Sequence, residues 1–366
     1  MSLTESEQRI VDGSAWEEFC DTLKEAGKII QSEKAPSDPL NRSEGYRYLS
    51  RLLRGGLESF IEHRDPLFPT LRCGAHETIK LGADNPDNRY ESATINGQHD
   101  YRISGNRGSV DYLGFGSVIN RYAIDGTMES TGYLDARDMK IDTDGNFELI
   151  LSQKKQPGNW LPIGEKTNSV NVRQTFQDRK NERRAEIKIE RIGASEERPQ
   201  ALSAEALDRG LSGAAIFVKR TAQLFEDWAE SFLATENTLP PADQAYCQLI
   251  GGDPNIYYFH SSWSLKDDEA LLIEAPRIPD CQTWNFQLDN WWMESLDYRH
   301  HTIHINKHSA HYRDDGSVRL IVAHRDPEQP NWVETAGHHN GTMCWRWIGA
   351  KEYPNVECRV VKLADL

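Results

Sequence analysis

A repeated order of turn, strand and loop residues constrains the fold of this chain more than any other feature of its sequence. In the first copy, Asp144-Gly145 precedes an apolar run and Asn159-Trp160 follows it. In the second copy, Asp315-Gly316 and Asn331-Trp332 stand at the two ends of another apolar run. The spacing from Asp to Asn is 15 residues in the first copy and 16 in the second. Both regions therefore predict the same succession of turn, strand and loop.

The agreement between the copies continues on the C-terminal side. An Arg follows each Asn-Trp pair, and 14 residues separate Arg173 from Ile187 and Arg346 from Val360. Around Ile187 and Val360, apolar and charged residues alternate, which is typical of a strand with one solvated face. Because order and spacing agree over about a hundred residues, we infer two copies of one antiparallel β domain, each a sandwich or jelly roll.

Three segments are predicted to be helical. A capping box at Ser14 begins a stripe that includes Trp16 and Phe19, a second stripe begins at Tyr46, and a third helix spans 203–236. The predicted fold class is mainly β with α (α+β): two duplicated β-sandwich or jelly-roll-like domains, an N-terminal helical hairpin and a connecting helix. The predicted parts are a helical segment (1–66), the first sandwich repeat (67–198), the connecting helix (199–241) and the second sandwich repeat (242–366).

The acidic composition argues against several classes of partner. A formal charge of −15 disfavours nucleic-acid binding, because a phosphate backbone needs a basic surface. No secretory signal is recognised, and no apolar run approaches the length that spans a bilayer. The six Cys form no CxxC pair, which is typical of reduced thiols. We therefore expect a cytoplasmic protein without nucleic-acid or membrane partners.

Several motifs of the second copy carry a family resemblance. They are Asp315-Gly316, Asp326-Pro327, Asn331-Trp332, Gly337-His338 and Arg346. In this order they resemble the DUF1214 family of bacterial proteins of unknown function, whose leading segment is similar to 84–87 and 101–105 here. The resemblance covers about residues 84–350. It implies an antiparallel β-sandwich with accompanying helices and no established reaction, so no catalytic residue is carried over from it.

The copies differ at a motif that contains histidines. The first copy has Glu165-Lys166-Thr167 where the second has Gly337-His338-His339. Any role that depends on His338 therefore belongs to the second copy alone.

His338 is the first candidate catalytic residue, together with Asp326, Asn331 and Arg346. In this interpretation Asp326 holds the imidazole tautomer, Arg346 binds a carboxylate or oxyanion, and His338 moves a proton. All of them lie within one predicted hairpin, so we expect them to converge. The alternative is a hydrogen-bonded network that holds a loop.

A second group of histidines, five residues, lies between His300 and His311. In a strand, His300 and His304 would share a face about 13 Å apart, because each residue advances about 3.3 Å. That separation is too large for one metal ion. We therefore expect a polar, half-exposed strand without a metal site, and His304 is a further candidate catalytic residue.

Tryptophans crowd the second copy, and most of them are expected in its core. Trp291 and Trp292 cannot both face one core if the chain is extended, so one of them is expected to border a pocket. The candidate substrate-binding residues are Trp292, Tyr298, Asn331 and Trp332. Because the Asn-Trp pair recurs in both copies, a purely structural role is the alternative for it.

The sequence contains no P-loop and no Gly-x-Ser-x-Gly elbow, so no cofactor is expected. The first hypothesis for the function is a cofactor-independent catabolic enzyme, a hydrolase or lyase that acts on a small organic or ring-shaped substrate in the second domain. The alternative is a non-catalytic β-sandwich module that binds a carbohydrate or a hydrophobic ligand. A homo-oligomer is compatible with either hypothesis.

Overall fold

The computed structural model describes residues 2–194 and 197–366. Within these ranges the α-helices are α1 (Glu5–Asp12), α2 (Ser14–Ile29), α3 (Pro39–Leu57), α4 (Ala204–Phe232) and α5 (Gln244–Leu249). One π-helical turn, Glu58–Glu62, follows α3, and 3-10 turns lie at Ala136–Asp138, Leu233–Thr235 and Leu363–Asp365. In the described ranges, no helix combines the length and the apolar character needed to cross a membrane.

Strands make up most of the remaining regular structure. In the first half they are β1 (Arg72–Ala75), β2 (Asn88–Thr94), β3 (Tyr101–Asn106), β4 (Tyr112–Arg121), β5 (Thr127–Asp135), β6 (Asn146–Ser152), β7 (Asn159–Pro162), β8 (Ser169–Thr175) and β9 (Glu186–Arg191). In the second half they are β10 (Ile256–Ser264), β11 (Glu269–Ala275), β12 (Thr283–Asp289), β13 (His304–Asn306), β14 (Val318–Ala323), β15 (Trp332–Glu334), β16 (Asn340–Ile348) and β17 (Glu357–Lys362).

The strands form four open sheets with one repeated topology. The first half has the strand orders β1-β2-β8-β4-β5 and β7-β6-β3-β9, and the second half has β10-β16-β12-β13 and β15-β14-β11-β17. When β2 to β9 are paired one by one with β10 to β17, the strand orders of the two halves coincide. Strand β1 is an extra edge strand of the first half. A parallel pairing of β6 with β7 also recurs, as β14 with β15. The predicted mainly β fold and its internal duplication are therefore confirmed.

The described chain divides into two compact units. The first comprises Met1–Ile29, Leu49–Ile79 and Asn88–Ala222, and the second comprises Ile30–Tyr48, Lys80–Asp87 and Gln223–Leu366. Each sandwich lies within one unit, and the second unit also includes two stretches from the N-terminal part of the chain. The four-part domain organisation inferred from the sequence stays a prediction.

Aromatic side chains build the core of the second unit. On β12, Trp284, Phe286 and Leu288 point into this core, and on β16 Trp345 and Trp347 alternate in the same way. The rings of Trp284 and Trp345 stack in parallel planes with centroids 4.7 Å apart. This alternation fixes the strand register, because a slip of one residue would exchange the apolar face for the polar one.

The Asn-Trp pair has the same structural role in both copies. The side chain of Asn159 accepts a hydrogen bond from the N–H of Lys140 and donates to the carbonyls of Lys140 and Glu148. Asn331 makes the same three bonds to backbone groups 20 and 12 residues upstream. In both copies the indole N–H of the following Trp donates to a strand carbonyl at 3.0 Å.

Some local predictions differ from the structure. Trp16 was expected in an apolar stripe but is 59% exposed, and Tyr46 is also exposed. A capping box occurs at Thr4 and Glu7, at the start of a helix that the sequence did not predict. The strand expected between His300 and His311 is limited to β13, which lies between a turn that ends at residue 300 and a turn that begins at residue 307.

Replacing either Asn159 or Asn331 by Ala should destabilise its own sandwich by about 1–3 kcal/mol, because backbone groups lose their hydrogen-bond partners. The two losses should be similar, since the two sets of bonds are the same. Hydrogen exchange resolved by peptide would measure the loss in each sandwich. A loss in one sandwich only would contradict the shared structural role.

Candidate functional site

The outer face of the sheet β10-β16-β12-β13 is polar and yet buried. On β12, Asn285, Gln287 and Asp289 alternate with core residues, and none of them is more than 1% exposed. Polar side chains at this depth need partners, because burial of an unpaired polar group costs free energy. Residues 80–87 of the same unit supply many of these partners.

The 80–87 segment binds this face through its backbone and its turn residues. Gln287 donates to the carbonyl of Asp84 at 3.0 Å, and Asn285 donates to Oδ1 of Asn85 at 2.6 Å. The N–H of Asp87 donates to the same Asn85 oxygen at 2.9 Å, an Asx turn that directs the Asp87 carboxylate to the sheet. We use the name polar layer for Asp87, Asn285, Gln287, Asp289, His304, Asn306 and Arg346.

His304 lies at the edge of the polar layer, on β13. Its Nε2 is 3.1 Å from Oδ1 of Asp87, so in the neutral ring Nε2 carries the proton and Nδ1 the lone pair. This Nδ1 is shielded from solvent and has no hydrogen-bond partner among the described residues. The His304 side chain is 24% exposed, compared with 9% for Asp87.

The neighbours of Asp87 keep its carboxyl ionised. Asn306 and Asn285 donate to its oxygens at 3.0 and 3.1 Å, in addition to His304. Burial by itself would raise the pKa of Asp87, but the charge and hydrogen bond of His304 and the two amide donors lower it. Asp87 and His304 thus pair a carboxylate with an imidazole.

The guanidinium of Arg346 is fixed within the polar layer. It donates to Oε1 of Gln287 at 2.6 Å, to Oδ1 of Asn285 at 3.4 Å and to the carbonyl of Ala83 at 2.5 Å. Its central carbon lies 5.9 Å from the centroid of the Tyr258 ring. These contacts hold a positive charge beside the polar residues of β12.

Burial favours the neutral form of the Asp289 carboxyl. Burial raises the pKa of Asp289 to about 8, against the hydrogen bond from Gln287 and the charge of Arg346, while the charge of Asp84 acts with burial. Its Oδ2 has no hydrogen-bond partner in the described part of the chain. The pKa values of Asp289 and Asp87 are therefore shifted in opposite directions on one sheet face, an arrangement found at acid–base sites.

His338 lies in a buried ion pair rather than beside Asp326. Its Nε2 is 2.9 Å from the carboxylate of Glu44 on α3, 294 residues earlier, and its Nδ1 is 3.1 Å from the carbonyls of Thr335 and Ala336. Burial alone would lower the pKa of His338, but the hydrogen bond and charge of Glu44 and the two carbonyls raise it. The expected carboxylate partner, Asp326, is thus replaced by Glu44.

Asp326 and Asn331 form turns of their own. Asp326 accepts the N–H of Glu328 at 2.8 Å in an exposed turn. Asn331 binds backbone groups of His311 and of Arg319 on β14. Of the four residues expected to converge, His338, Asp326 and Asn331 have separate sets of partners, and Arg346 belongs to the polar layer. The polar layer brings His304 and Arg346 together instead, through Asp87 and Asn285.

The aromatic candidates occupy different environments. Trp292 is fully buried, donates from its indole to the carbonyl of Asn41 at 2.8 Å and stacks with Tyr48 at 6.4 Å between centroids. The ring of Tyr298 lies under the ammonium of Lys80, which is 4.5 Å from the ring centroid. Trp332 is half-buried on β15. The roles of Trp292, Tyr298, Asn331 and Trp332 in substrate binding stay predictions.

Comparison with known proteins places the chain in a family. Residues 85–176 and 270–352 match the model of the family described as "Protein of unknown function (DUF1214)". The crystal structure of an uncharacterized protein from Burkholderia cenocepacia is similar over 98% of this chain and 99% of that chain, with 52% identity and a TM-score of 0.96. The chain belongs to the DUF1214 family.

A second solved structure, of low sequence identity, is similar to this DUF1214 protein in its fold alone. The VPA0106 protein from Vibrio parahaemolyticus superposes over 93% of this chain and 100% of that chain, with 11% identity and a TM-score of 0.50. A comparison with curated proteins gives no match. The two segments matched to DUF1214 contain every member of the polar layer, whereas Glu44 lies outside them.

Sequence reasoning missed Asp87, Asp289 and Glu44 as members of buried polar clusters in this DUF1214 protein. Residues 84–87 resemble the leading segment of the family, but nothing local shows that Asp87 meets strands about two hundred residues later. Asp289 ends the alternating run from Thr283, whose polar face resembles a solvated surface. The sequence signal that could have located the polar layer is the charged Asp289 at the end of the strand face that carries Asn285 and Gln287. That signal is weak.

The Glu44–His338 pair should give this DUF1214 protein a pH-dependent stability. The pKa of His338 is raised from 6.5, so its contribution is lost as the pH rises through the raised value. The pKa of Glu44 is lowered from 4.5 by His338, against burial, so its contribution is lost as the pH falls through the lowered value. His338→Gln should cost about 3–5 kcal/mol where both groups are charged. Thermal unfolding should show the largest gap between wild type and variant from about pH 4.5 to 6.5, and a gap independent of pH would contradict the ion pair.

Proposed function

We propose that the polar layer is the active site of an enzyme that performs acid–base chemistry on a small organic molecule, as a hydrolase or lyase, without an organic cofactor. The pairing of His304 with Asp87 carries this proposal. Asp87 holds Nε2 of the ring, and Nδ1 has no hydrogen-bond partner among the described residues. A lone pair with no protein partner is suited to take a proton from a substrate that enters the polar layer and reaches Nδ1.

His304 acts as the general base in this proposal. Asp87 orients the ring and stabilises the imidazolium that forms when Nδ1 takes a proton. Asn306 and Asn285 in turn hold Asp87 with their amide N–H groups. The arrangement favours proton transfer, because a carboxylate that is already desolvated and hydrogen-bonded needs no reorganisation when the ring becomes charged.

Asp289 and Arg346 complete the chemistry. Asp289 supplies a proton in this proposal, because burial raises the pKa of its carboxyl to about 8. The fixed charge of Arg346 stabilises negative charge that develops on the substrate. A positive charge beside a base and an acid suits carbonyl compounds, because attack by water or removal of a neighbouring proton places negative charge on the carbonyl oxygen.

Other expectations from the sequence enter the proposal with changed roles. His338 is a positioning residue that holds α3 through Glu44, rather than the base. Tyr298 remains a candidate ring contact for the substrate. The cytoplasmic location and the homo-oligomer stay predictions.

The variant His304→Gln should lose activity and keep its stability. The Gln side-chain amide can donate to Asp87 as Nε2 does, but it cannot accept a proton, so the rate should fall by about 10²–10⁴-fold. A panel of small esters, lactones and hydroxy acids, with products followed by proton NMR, would measure turnover. Thermal unfolding would report the stability of both proteins.

The matched control is His300→Gln, which changes an exposed histidine of the neighbouring turn. It should turn over substrate at the wild-type rate. Equal rates for His304→Gln and wild type would refute the base, and so would a complete absence of turnover in the panel. Ligand binding without product, seen by tryptophan fluorescence, would favour the alternative of a non-catalytic binding module.

Asp289→Asn should make the protein more stable and less active. Because the pKa of Asp289 is raised to about 8, the folded protein binds this proton more tightly than the unfolded chain, and wild-type stability falls as the pH rises towards that value. Asn keeps the acceptor for Gln287, but its amide does not ionise and cannot act as a general acid. Denaturation and rate measurements across the pH range would test both effects, and a variant of unchanged rate would rule out Asp289 as the acid.

A further inference from the structure

Three side chains with metal-binding atoms converge on one rim of the second unit, outside the polar layer. Asp267 lies in the turn between β10 and β11, His324 follows β14, and His339 precedes β16. One ligand atom from each lies within 4.8 Å of those of the other two. We propose that Asp267, His324 and His339 bind a divalent first-row transition metal ion, of which zinc is the natural probe.

The separations fit one ion after small movements. Ligand atoms near 2.1 Å from a metal ion are at most about 4.2 Å apart, so the observed limit of 4.8 Å requires a shift of less than about 1 Å. The Nδ1 of His339 is already 3.6 Å from the Asp267 carboxylate. These two side chains are 61% and 91% exposed, so they can turn towards an ion without disturbing a core.

His324 is the fixed ligand of the set. Its Nε2 donates to the carbonyl of Leu265 at 3.2 Å, which leaves the lone pair on Nδ1. A metal-bound His commonly donates its other ring N–H to a carbonyl in this way, which fixes the tautomer and the ring orientation. The Thr335 hydroxyl lies 2.9 Å from Nδ1 and must turn aside, so one hydrogen bond is exchanged for a metal bond.

The first copy shows what this rim looks like without the ligand set. Gln153 follows β6 as His324 follows β14, and it donates to the carbonyl of Gly97 at 2.7 Å, as His324 does to Leu265. The carbonyl of Thr167 accepts the N–H of Gly97 at 2.9 Å, as that of His339 accepts the N–H of Leu265. The same backbone contacts are therefore made with Gln and Thr, and the two histidines are not needed for them.

The chemistry of the three donors indicates the class of ion. Imidazole nitrogen suits zinc, iron, nickel and copper, whereas calcium and magnesium prefer oxygen ligands alone. Three protein ligands also leave at least one position for water or an anionic ligand. The inference is independent of the polar layer, and it departs from the absence of a metal site expected from the sequence.

The test is calorimetric titration of zinc into the full chain after treatment with a chelator, supported by the visible spectrum of the cobalt complex. Wild type should bind one ion per chain. His324→Gln and His339→Thr, which introduce the residues of the first copy, should each weaken binding by more than about tenfold, since even supporting residues of metal sites change affinity by 10–100-fold. Both should fold, because Gln153 and Thr167 already make the corresponding contacts in the first copy.

His300→Gln is the matched control and should bind zinc like wild type. The proposal is overturned if wild type binds no ion, or if His324→Gln and His339→Thr bind as tightly as wild type. It is also overturned if His300→Gln is the variant that loses binding, because the ion would then lie in the 300–311 region. Since turnover is not measured, failure of this test leaves the proposal for the polar layer untouched.

Discussion

The need to find partners for most of the polar groups on the buried outer face of the sheet β10-β16-β12-β13 governs the structure of the second unit. The inner face is satisfied by packing, because its tryptophans and aliphatic side chains carry few polar atoms. The outer face carries amides, carboxyls and a guanidinium at a depth where water cannot serve them. The 80–87 segment supplies acceptors and one carboxylate to this face, so it contributes to the stability of the sheet.

The duplication separates what builds the fold from what is special to one copy. Asn159 and Asn331 make the same three backbone bonds, which gives a structural reason for the recurrence of the Asn-Trp pair. His324 and His339 stand where the first copy has Gln153 and Thr167. Those two residues make the corresponding backbone contacts there. At these positions the side chains differ between the copies although the backbone contacts are the same. Such a difference is a better guide to function than a motif that both copies share.

Much of the fold follows from spacing, and much of the site does not. Strand alternation and the repeated Asp-Gly and Asn-Trp pairs predicted two β domains, because these signals act over a few residues. The partner of His338 was misjudged for the opposite reason. Asp326 is near in sequence, whereas Glu44 reaches His338 only through the tertiary fold. His304 and Arg346 were identified, but their connection through Asp87 depends on contacts that local patterns do not contain.

The interleaving of the second unit along the chain has a consequence for its assembly. Glu44 and Asp87 leave the ribosome long before β10 to β17 are made, although their partners lie on or beside those strands. The polar layer can therefore close only after nearly the whole chain has been synthesised. Proteolysis between the two sandwiches would leave one fragment with an unpaired Asp87 and the other with Arg346 deprived of the Ala83 carbonyl. Cleavage of the chain at the sequence boundary between the repeats does not release an intact second unit.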